Sequence, residues 1–546
     1  MTRTMIMIYL VVLTACGKKG DPVLQESFRV NAIQVDGNTG DNISMVGGEP
    51  TIKIHFTLPV DREGAVAAIS LRNEQHESIS AHLQFAGEDK EVVLVPQQRL
   101  AGLSRFFVSV ERQLQSADGK SLLAAATTPF STGIDSSRKF PAISDDALLT
   151  KVQQQTFRYF WDFAHPVSGM ARERSNGDDN LVTAGGSGFG IMAIVTGIHR
   201  GFITRQQGLE RMQTIINFLK NDAQTFRGAY SHWLNGTTGA AIRFSEKDDG
   251  ADLVETSLLI QGLLCARQYF DGTGAEQSLR NDINEIWYRV EWDWFRQDGQ
   301  DVLYWHWSPN YHWEMNLPVK GWNECLITYV LAASSPTHHV PATVYHNGWA
   351  SGGHMKNGNT YFNYPLPLGP PMGGPLFLSH YSFLGINPGD LSDTYANYGM
   401  QTTNHTLINH AYCISDPKSF GYSDSCWGLT ASDIPGGYTA SAPDNDVGVI
   451  APTAAISSLP YTPEKSMAAL KFFYYVLGDK LWKDYGFIDA FSLTDLWFSG
   501  SFLAIDQGPQ IVMIENYRSG LLWDLFMSCP EIKSGMKNLG FNGPGL

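Results

Sequence analysis

Four acidic residues lie close together at the start of an apolar stretch. Asp248, Asp249, Asp252 and Glu255 precede or begin a run ending at Phe270, and the composition of this run predicts a buried helix. On helical spacing, Asp248, Asp252 and Glu255 would share one face. Carboxylates packed this closely repel one another, which favours keeping one of them protonated near neutral pH. Acid/base chemistry needs such a group, although Asp252 and Glu255 could instead only cap the helix.

A further acid, Glu324, follows Trp322 and begins another apolar stretch. A carboxyl group beside an indole in a partly dry cleft is expected to have a raised pKa. Hydrolysis of a glycosidic bond needs one protonated acid for the leaving oxygen and one carboxylate as nucleophile or base. Glu324 is the candidate acid, Asp248 and Asp252 are the candidate bases, and Asp446 is held in reserve. Glu324 could instead be only an acid at a helix N-terminus.

Half of the chain's 14 tryptophans lie between positions 287 and 322. Alternation along an extended segment would place Trp305 and Trp307 on one face. Such a face can stack on sugar rings, whereas a core packed beneath helices is the alternative for any single ring. We predict that the substrate is bound by Trp305, Trp307, Trp313, Trp322, Asp249 and Arg518.

Composition narrows the classes of function. The chain has 546 residues, enough for a large catalytic domain and a smaller module. A net charge of −15 argues against binding nucleic acid or an anionic membrane through the body of the protein. Its histidines and cysteines lack the spacing of a metal site, and no nucleotide-binding loop is present, so we predict no metal and no cofactor. Cys413 and Cys426 bracket a polar loop, and a disulfide between them is left open.

The N-terminus resembles a bacterial lipoprotein signal. A short basic start and an apolar stretch lead to Leu13-Thr14-Ala15-Cys16, which is similar to a lipobox. The apolar stretch is too short to span a bilayer. The resemblance implies cleavage before Cys16 and lipid attachment to it, with residues 1–26 as signal and tether. An ordinary secretion signal is the alternative. We expect the protein in the bacterial cell envelope, periplasm-facing or on the outer-membrane surface, with membrane contact through the lipid only.

Residues 27–132 have the alternating pattern of short β-strands separated by turns. About seven strands in a hundred residues predict a two-sheet sandwich. The segment resembles the immunoglobulin-like modules at the front of bacterial surface enzymes, and its expected role is spacing or docking. Residues 133–144 are predicted to be a linker.

Residues 145–546 change to helical periodicity and predict a mostly α domain. Weaker helical pieces are expected at 376–384 and 489–498. A closed ring of paired helices, an (α/α)6 barrel, fits this organisation. A helical solenoid would fit the count too, but no regular repeat is present. The main candidate helices are 145–163, 188–200, 205–221, 252–270, 276–290, 323–333, 395–414, 447–459, 463–476 and 510–527.

The segment from Asp248 to Thr256, with Gly321-Trp322-Asn323-Glu324, resembles the glucoamylase-like domain of glycoside hydrolase family 144. The resemblance runs from about residue 145 to the C-terminus and includes Glu515-Asn516-Tyr517-Arg518. It implies an (α/α)6 barrel that hydrolyses linear β-1,2-glucan to sophoro-oligosaccharides with inversion, some relatives acting from chain ends.

The same resemblance implies roles for particular residues. Glu324 matches the general acid, and Asp248, Asp252 and Glu255 match an essential acidic cluster, with Asp248 as base a hypothesis. Two other classes stay open. A polysaccharide lyase would need a Tyr or His base and cations for a uronate. A non-catalytic glycan-binding lipoprotein would keep the aromatic surface without needing paired acids. Endo or exo action is left open.

Overall fold

In a computed structural model of the chain, residues 26–546 are described. They fall into two units that divide between Asp135 and Ser136, at the start of the predicted linker. The predicted signal and Cys16 lie outside the described residues. Across residues 26–546, no helix is both long enough and apolar enough to cross a membrane.

The described part of the N-terminal unit consists of two β-sheets and a short helix. One sheet has the strand order β1-β3-β7-β6 and the other has the order β2-β9-β8-β4-β5. Alternate side chains along a strand point to opposite faces, and the inward ones from both sheets, such as Ile54 and Val108, share one apolar core. The elements are β1 Val30–Val35, β2 Ile43–Val46, β3 Ile52–Phe56, α1 Arg62–Ala68, β4 Ile69–Asn73, β5 Ser78–Ile79, β6 Ala81–Ala86, β7 Glu91–Pro96, β8 Arg105–Val110 and β9 Ala126–Thr132.

The C-terminal unit is built mainly from α-helices. Ser144 caps the first of them by accepting a hydrogen bond from the Ala147 N–H, which ends the linker. The helices are α2 Asp145–Trp161, α3 Ala184–His199, α4 Arg205–Asn221, α5 Leu253–Tyr269, α6 Ala275–Tyr288, α7 Leu326–Ser334, α8 Tyr398–Ser415, α9 Pro452–Ser457, α10 Pro463–Lys471, α11 Gly478–Leu481, α12 Ala504–Ser519, α13 Leu521–Ser528 and α14 Pro530–Asn538.

Short elements lie in the connections between these helices. Single-turn 3-10 or π-helical segments are Trp294–Arg296, Val344–Trp349, Ser351–Gly353, Pro371–Gly373, Leu376–Ser379, Ser382–Leu384 and Phe472–Val476. Short strands are Leu181–Thr183, Thr225–Phe226, Ala229–Tyr230, Trp233–Asn235, Ala241–Ile242, Ala251–Asp252, His306–Trp307, Thr360–Tyr361, Tyr364–Pro365, Ala431–Ile434, Gly437–Ala440, Trp482–Lys483, Gly486–Phe487, Phe491–Ser492 and Trp497–Phe498.

Helices α3, α5 and α12 form the centre of this unit. Helix α3 packs against both α5 and α12, and most of the residues of these three helices are buried. Gly188 and Gly262 make the closest approach possible, because a Cβ on either would lie about 2 Å from a carbonyl oxygen of the facing helix. Helices α4 and α6 pack on each other and bury only one face, as expected for outer helices.

Most of the predicted helices are present, but several differ from the prediction. The stretch 376–384 forms two 3-10 segments, and the predicted helix 447–459 is reduced to Pro452–Ser457. The stretch 489–498 is a hairpin of Phe491–Ser492 with Trp497–Phe498 rather than a helix, consistent with the preference of aromatic residues for strands. The predicted helix 510–527 begins earlier, at Ala504, and is divided into α12 and α13 at Gly520, which adopts a φ of 73°.

The cysteines that bracket the polar loop are not joined. Cys413 and Cys426 are free, buried thiols, so the possible disulfide between them is absent.

Candidate active site

Asp252 is fixed at the junction of a short strand and a helix. It pairs with His306 across the strands Ala251–Asp252 and His306–Trp307, and its Oδ1 accepts the Glu255 N–H at 2.9 Å as the N-cap of α5. The capping interpretation is therefore confirmed for Asp252. The shared helical face is wrong, because α5 begins at Leu253 and Asp248 lies in the turn before it.

Gly250 explains why this junction can form. A Cβ at this position would lie 2.3 Å from the Trp307 carbonyl oxygen, so only glycine allows the two strands to come this close.

Two histidines converge on two of these acids. His232 Nδ1 lies 3.0 Å from Asp252 Oδ2 and 3.9 Å from Asp248 Oδ2. His306 Nε2 lies 3.2 Å from Asp248 Oδ2 and 3.5 Å from Asp252 Oδ2. We call His232, Asp248, Asp252 and His306 the histidine-acid cluster.

Three groups of this cluster, His232, His306 and Asp252, have pKa values that favour their charged forms. Burial lowers the pKa of His232, but the carboxylates of Glu255 and Asp252 raise it to about 9. Burial also lowers the pKa of His306, but hydrogen bonds to Asp248 and Asp252 raise it to about 10. Burial raises the pKa of Asp252, yet hydrogen bonds from the two histidines bring it well below the usual value. Asp252 is thus a fixed negative charge near neutral pH.

Glu255 joins the first turns of two central helices. Its Oε2 accepts the Gly185 N–H at 2.9 Å, which ties the start of α5 to the start of α3. Burial raises the pKa of Glu255, the charge on His232 lowers it, and the carboxylate of Asp252 raises it again. Glu255 is therefore a helix-linking group close to the histidine-acid cluster.

Glu324 lies just before α7 and is only half-buried. Its carbonyl oxygen accepts a hydrogen bond from Ser382 Oγ, which fixes the backbone at this point. Burial raises the pKa of the Glu324 carboxyl to about 7, and the negative charges of Glu255 and Asp252 contribute to the rise. A partly accessible acid that keeps its proton near neutral pH can act as a proton donor.

The predicted tryptophan surface is divided between core and rim. Trp322 is 6% exposed, and its ring packs against Phe383 and Tyr398, so most of the ring lies in the core, and its role as a sugar platform stays a prediction. Trp307 and Trp313 are half-buried, and both contact Trp294, at ring-centroid distances of 5.6 and 4.7 Å.

Trp305 is also half-buried and stacks beside His306 at 5.7 Å. His306 lies between the two tryptophans in sequence and pairs with Asp252 across the short strands. The Trp-His-Trp pattern that suggested a platform therefore also contains His306, a site residue that we did not predict from the sequence, and His232 was not predicted either.

Two other predicted residues, Asp446 and Asp249, have partners outside the histidine-acid cluster. Asp446 is buried and accepts hydrogen bonds from the hydroxyls of Tyr412 at 3.1 Å and Tyr422 at 2.8 Å. Asp249 accepts a hydrogen bond from Asn310 Nδ2 at 2.6 Å. These contacts give Asp446 a structural role in its loop and attach Asp249 to the loop that follows Trp307.

Arg518 is near the C-terminal end of α12, where it bonds to Asp146 at 2.6 Å and Gln153 at 2.7 Å. The first turn of α12, which contains Asp506, lies about 18 Å from Arg518 along the helix axis, so Arg518 is at the opposite end of this helix. Arg518 therefore ties α12 to α2, and its role in substrate binding stays a prediction.

A second buried group of acids was not predicted. Arg174 Nη1 lies 3.1 Å from Asp433 Oδ1, and the Asp433 N–H donates to Asp489 Oδ2 at 2.7 Å. Burial raises the pKa of Asp489 to about 7, and burial together with Asp489 raises that of Asp506. We call Arg174, Asp433, Asp489 and Asp506 the aspartate cluster. Its members are far apart in sequence, and only the fold brings them together.

The histidine-acid cluster also contains a possible cation-binding group. One donor atom each from His232, Asp248 and Asp252 lie within 4.8 Å of one another. In this structure His232 and His306 already contact the carboxylates of Asp252 and Asp248. The absence of a metal, which the sequence predicts, stays a prediction.

Residues 316–530 match the family described as "Putative glucoamylase". The chain is 54% identical to the solved endo-β-1,2-glucanase from Chitinophaga pinensis, with a TM-score of 0.72, covering 74% of this chain and 100% of that one. The chain belongs to this glucoamylase-like family, whose relatives are named as β-1,2-glucan hydrolases.

Two relatives from Parabacteroides distasonis extend the comparison. The chain is 46% identical over 420 residues to an exo β-1,2-glucooligosaccharide sophorohydrolase (non-reducing end), a match that covers 73% of this chain and 58% of that relative. The solved β-1,2-glucanase is 37% identical, with a TM-score of 0.71, and covers 94% of this chain and 74% of its own.

Proposed function

We propose that this protein is a glycoside hydrolase that cleaves β-1,2-glucan or sophoro-oligosaccharides with inversion. The observation that carries the proposal is Glu324, a half-buried acid whose pKa burial raises to about 7, with the charges of Glu255 and Asp252 contributing. Relatives named as endo- and exo-acting hydrolases of β-1,2-linked glucose chains supply the linkage. An acid and a carboxylate of different pKa are what an inverting hydrolysis requires.

In the proposed reaction, Glu324 gives its proton to the glycosidic oxygen while the bond from that oxygen to the anomeric carbon breaks. A water oxygen bonds to the anomeric carbon from the opposite side, and its proton passes to a carboxylate. Asp248 is the proposed base, because His306 engages its Oδ2 while its Oδ1 has no hydrogen-bond partner. Asp252 stays ionised between His232 and His306, and with Glu255 it raises the pKa of Glu324.

The architecture of the two units supports a finer proposal. The pairing of α3, α5, α7 and α12 at the centre with α4 and α6 outside is consistent with an (α/α)6 barrel. The two sheets before Asp135 are consistent with an immunoglobulin-like module that acts as a spacer. A truncated protein starting at Ser136 tests the second point: a spacer predicts unchanged cleavage of short oligosaccharides.

We also propose that Cys16 carries a lipid that anchors the protein in the cell envelope. The support is the Leu13-Thr14-Ala15-Cys16 sequence alone. Expression in a bacterial host with an alkyne-labelled fatty acid should label the wild type and not Cys16→Ser, and labelling of both would refute the anchor.

The central test compares wild type with Glu324→Gln on linear β-1,2-glucan, following reducing ends and product lengths. We expect activity in the wild type and a loss of about 10²–10⁴-fold in the variant. Early release of mixed lengths would indicate endo action, whereas release of sophorose alone would indicate exo action. Equal activity in both proteins would refute Glu324 as the acid. A product with ultraviolet absorbance would indicate a lyase instead.

A further inference from the structure

One exposed aromatic ring lies directly on the histidine-acid cluster. Phe244 is 49% exposed, and one face of its ring stacks on His232 at a centroid distance of 4.0 Å. Its backbone N–H donates to the Asp248 carbonyl oxygen at 2.8 Å, so the ring is fixed to the turn that carries Asp248. Trp233 supports it edge-on at 4.8 Å. The remaining part of the ring is apolar surface held beside ionised groups.

A second exposed ring lies beside the aspartate cluster. Tyr438 is 45% exposed and pairs with Asp433 across the hairpin of Ala431–Ile434 with Gly437–Ala440. Residues directly opposite in an antiparallel pair project on the same face of the hairpin. Asp433 binds Arg174 and Ser501, so Tyr438 projects on the same face of the hairpin as the residue that these groups contact. Burial and the charges of Asp506 and Asp489 also raise the pKa of the Tyr438 hydroxyl.

Tyr381 connects the two regions. Its neighbour Ser382 binds the carbonyl of Glu324, and its own carbonyl accepts a hydrogen bond from Gln261 of α5 at 3.1 Å. Burial raises the pKa of Tyr381, and the charges of Asp506 and Glu324 contribute to the rise. Tyr381 is therefore within electrostatic reach of Asp506 in the aspartate cluster and of Glu324. The first turns of α3 and α12 also meet, because a Cβ on Gly186 would lie 2.7 Å from the Ala504 Cβ, and the neighbouring Gly185 N–H donates to Glu255 of α5.

Resting on the proposed function, we propose that Phe244 and Tyr438 each stack on a different glucosyl ring of one β-1,2-linked chain. The chain would then extend from the histidine-acid cluster to the aspartate cluster and pass Glu324. A glucosyl unit suits these places because its C–H face can cover an aromatic ring while its hydroxyls reach nearby charged groups. Two such platforms make the strength of binding depend on the length of the substrate.

The test measures kcat and KM on sophoro-oligosaccharides of increasing length for wild type, Phe244→Ala and Tyr438→Ala. Covering one ring face contributes about tenfold, so each variant should lose about tenfold in kcat/KM on long substrates. On substrates too short to reach the removed platform the loss should disappear, and the benefit of added length should be smaller than in the wild type. Phe244→Tyr and Tyr438→Phe keep the rings and should stay within about threefold of the wild type.

Tyr517→Ala is the matched control, because Tyr517 is 42% exposed but lies beside Arg518 at the far end of α12. It should behave as the wild type at every length. An inactive wild type would overturn both this inference and the proposed function. An active wild type with both alanine variants like Tyr517→Ala would overturn only the platforms. A length effect at one ring alone would overturn the proposal that one chain covers both rings. An equal loss in Tyr438→Phe and Tyr438→Ala would overturn stacking on the Tyr438 ring.

Discussion

The histidine-acid cluster and the aspartate cluster of the helical unit balance the charges of their carboxylates in different ways. In the histidine-acid cluster, two carboxylates share two histidines whose pKa values rise to about 9 and about 10. In the aspartate cluster, Arg174 binds Asp433, while the buried pair Asp489 and Asp506 keeps a proton instead of a second cation. His232, His306 and Asp252 of the first cluster are therefore fixed charges, whereas the second cluster is partly protonated.

This difference shows that a raised pKa alone does not identify a catalytic acid. Burial raises the pKa of Glu324 and of Asp489 to about 7 in each case. Asp489 is fully buried, whereas Glu324 is only half-buried. A general acid must come within hydrogen-bond distance of the oxygen that it protonates. Accessibility therefore favours Glu324 over Asp489.

The largest expected effect separates these two acids directly. Glu324→Gln should lower kcat by about 10²–10⁴-fold, because the leaving oxygen loses its proton donor. Asp489→Asn should change kcat by less than about tenfold, because the amide can still accept the Asp433 N–H. The measurement is initial rate on linear β-1,2-glucan at saturating substrate. A loss in Asp489→Asn as large as that in Glu324→Gln would assign the chemistry to the aspartate cluster.

The dependence of rate on pH is the next largest effect. Glu324 acts as an acid only while protonated, so kcat should be highest below about pH 7 and fall about tenfold per unit above it. His232 and His306 stay charged through this range, so they should not cause this fall of kcat at alkaline pH. A pH–rate profile of Asp489→Asn should keep the same alkaline limb. A limb that shifts in Asp489→Asn would mean that the buried acid controls the proton.

Removing one histidine should disturb the charge balance and destabilise the fold. His306→Gln leaves Asp248 and Asp252 with one cation, which should lower the free energy of unfolding by about 3 kcal/mol. His338→Gln is the control, since its pair with Asp293 is exposed and should contribute less than about 1 kcal/mol. Denaturant unfolding measures both, and equal effects would mean that the cluster contributes no more than a surface pair.

The same measurement has a defined pH dependence. The pKa of His306 rises from 6.5 to about 10 in the fold, so its contribution is complete below about pH 6.5 and is lost as the pH rises through about 10. The difference between wild type and His306→Gln should therefore shrink at alkaline pH.

Local sequence predicted the elements whose boundaries are set by local chemistry. The range of α4, Arg205–Asn221, was predicted to the residue, because Thr204 and Gln207 form a capping box at its start. The predicted start of α5 at Asp252 was wrong by one residue, but the predicted shared face needed a helix that began before Asp248. Asp252 does not continue a helix towards Asp248, because Ala251 and Asp252 pair with a strand fifty residues further along the chain.

The groups brought together by the fold could not be predicted from any one stretch. His232 reaches Asp252 from a segment before the acids, and Asp489 and Asp506 meet Asp433 and Arg174 across more than three hundred residues. No local pattern encodes such contacts, since they depend on how α3, α5 and α12 pack. Conversely, residue type and position made Asp446 and Trp322 candidates, but the sequence did not show that both lie buried among aromatic side chains.

The smallest expected effect concerns a third buried carboxylate, which belongs to neither cluster. Asp446 accepts hydrogen bonds from Tyr412, Tyr422 and the Gly448 N–H, so its oxygens are occupied within its own loop. Asp446→Asn should leave kcat/KM within about twofold and lower the free energy of unfolding by about 1–2 kcal/mol, because an amide replaces one acceptor by a donor. Rates on β-1,2-glucan and denaturant unfolding measure the two quantities on the same preparation. A loss of activity without a loss of stability would make Asp446 a candidate base again. The comparison of buried carboxylates would then have to include Asp446 beside the two clusters.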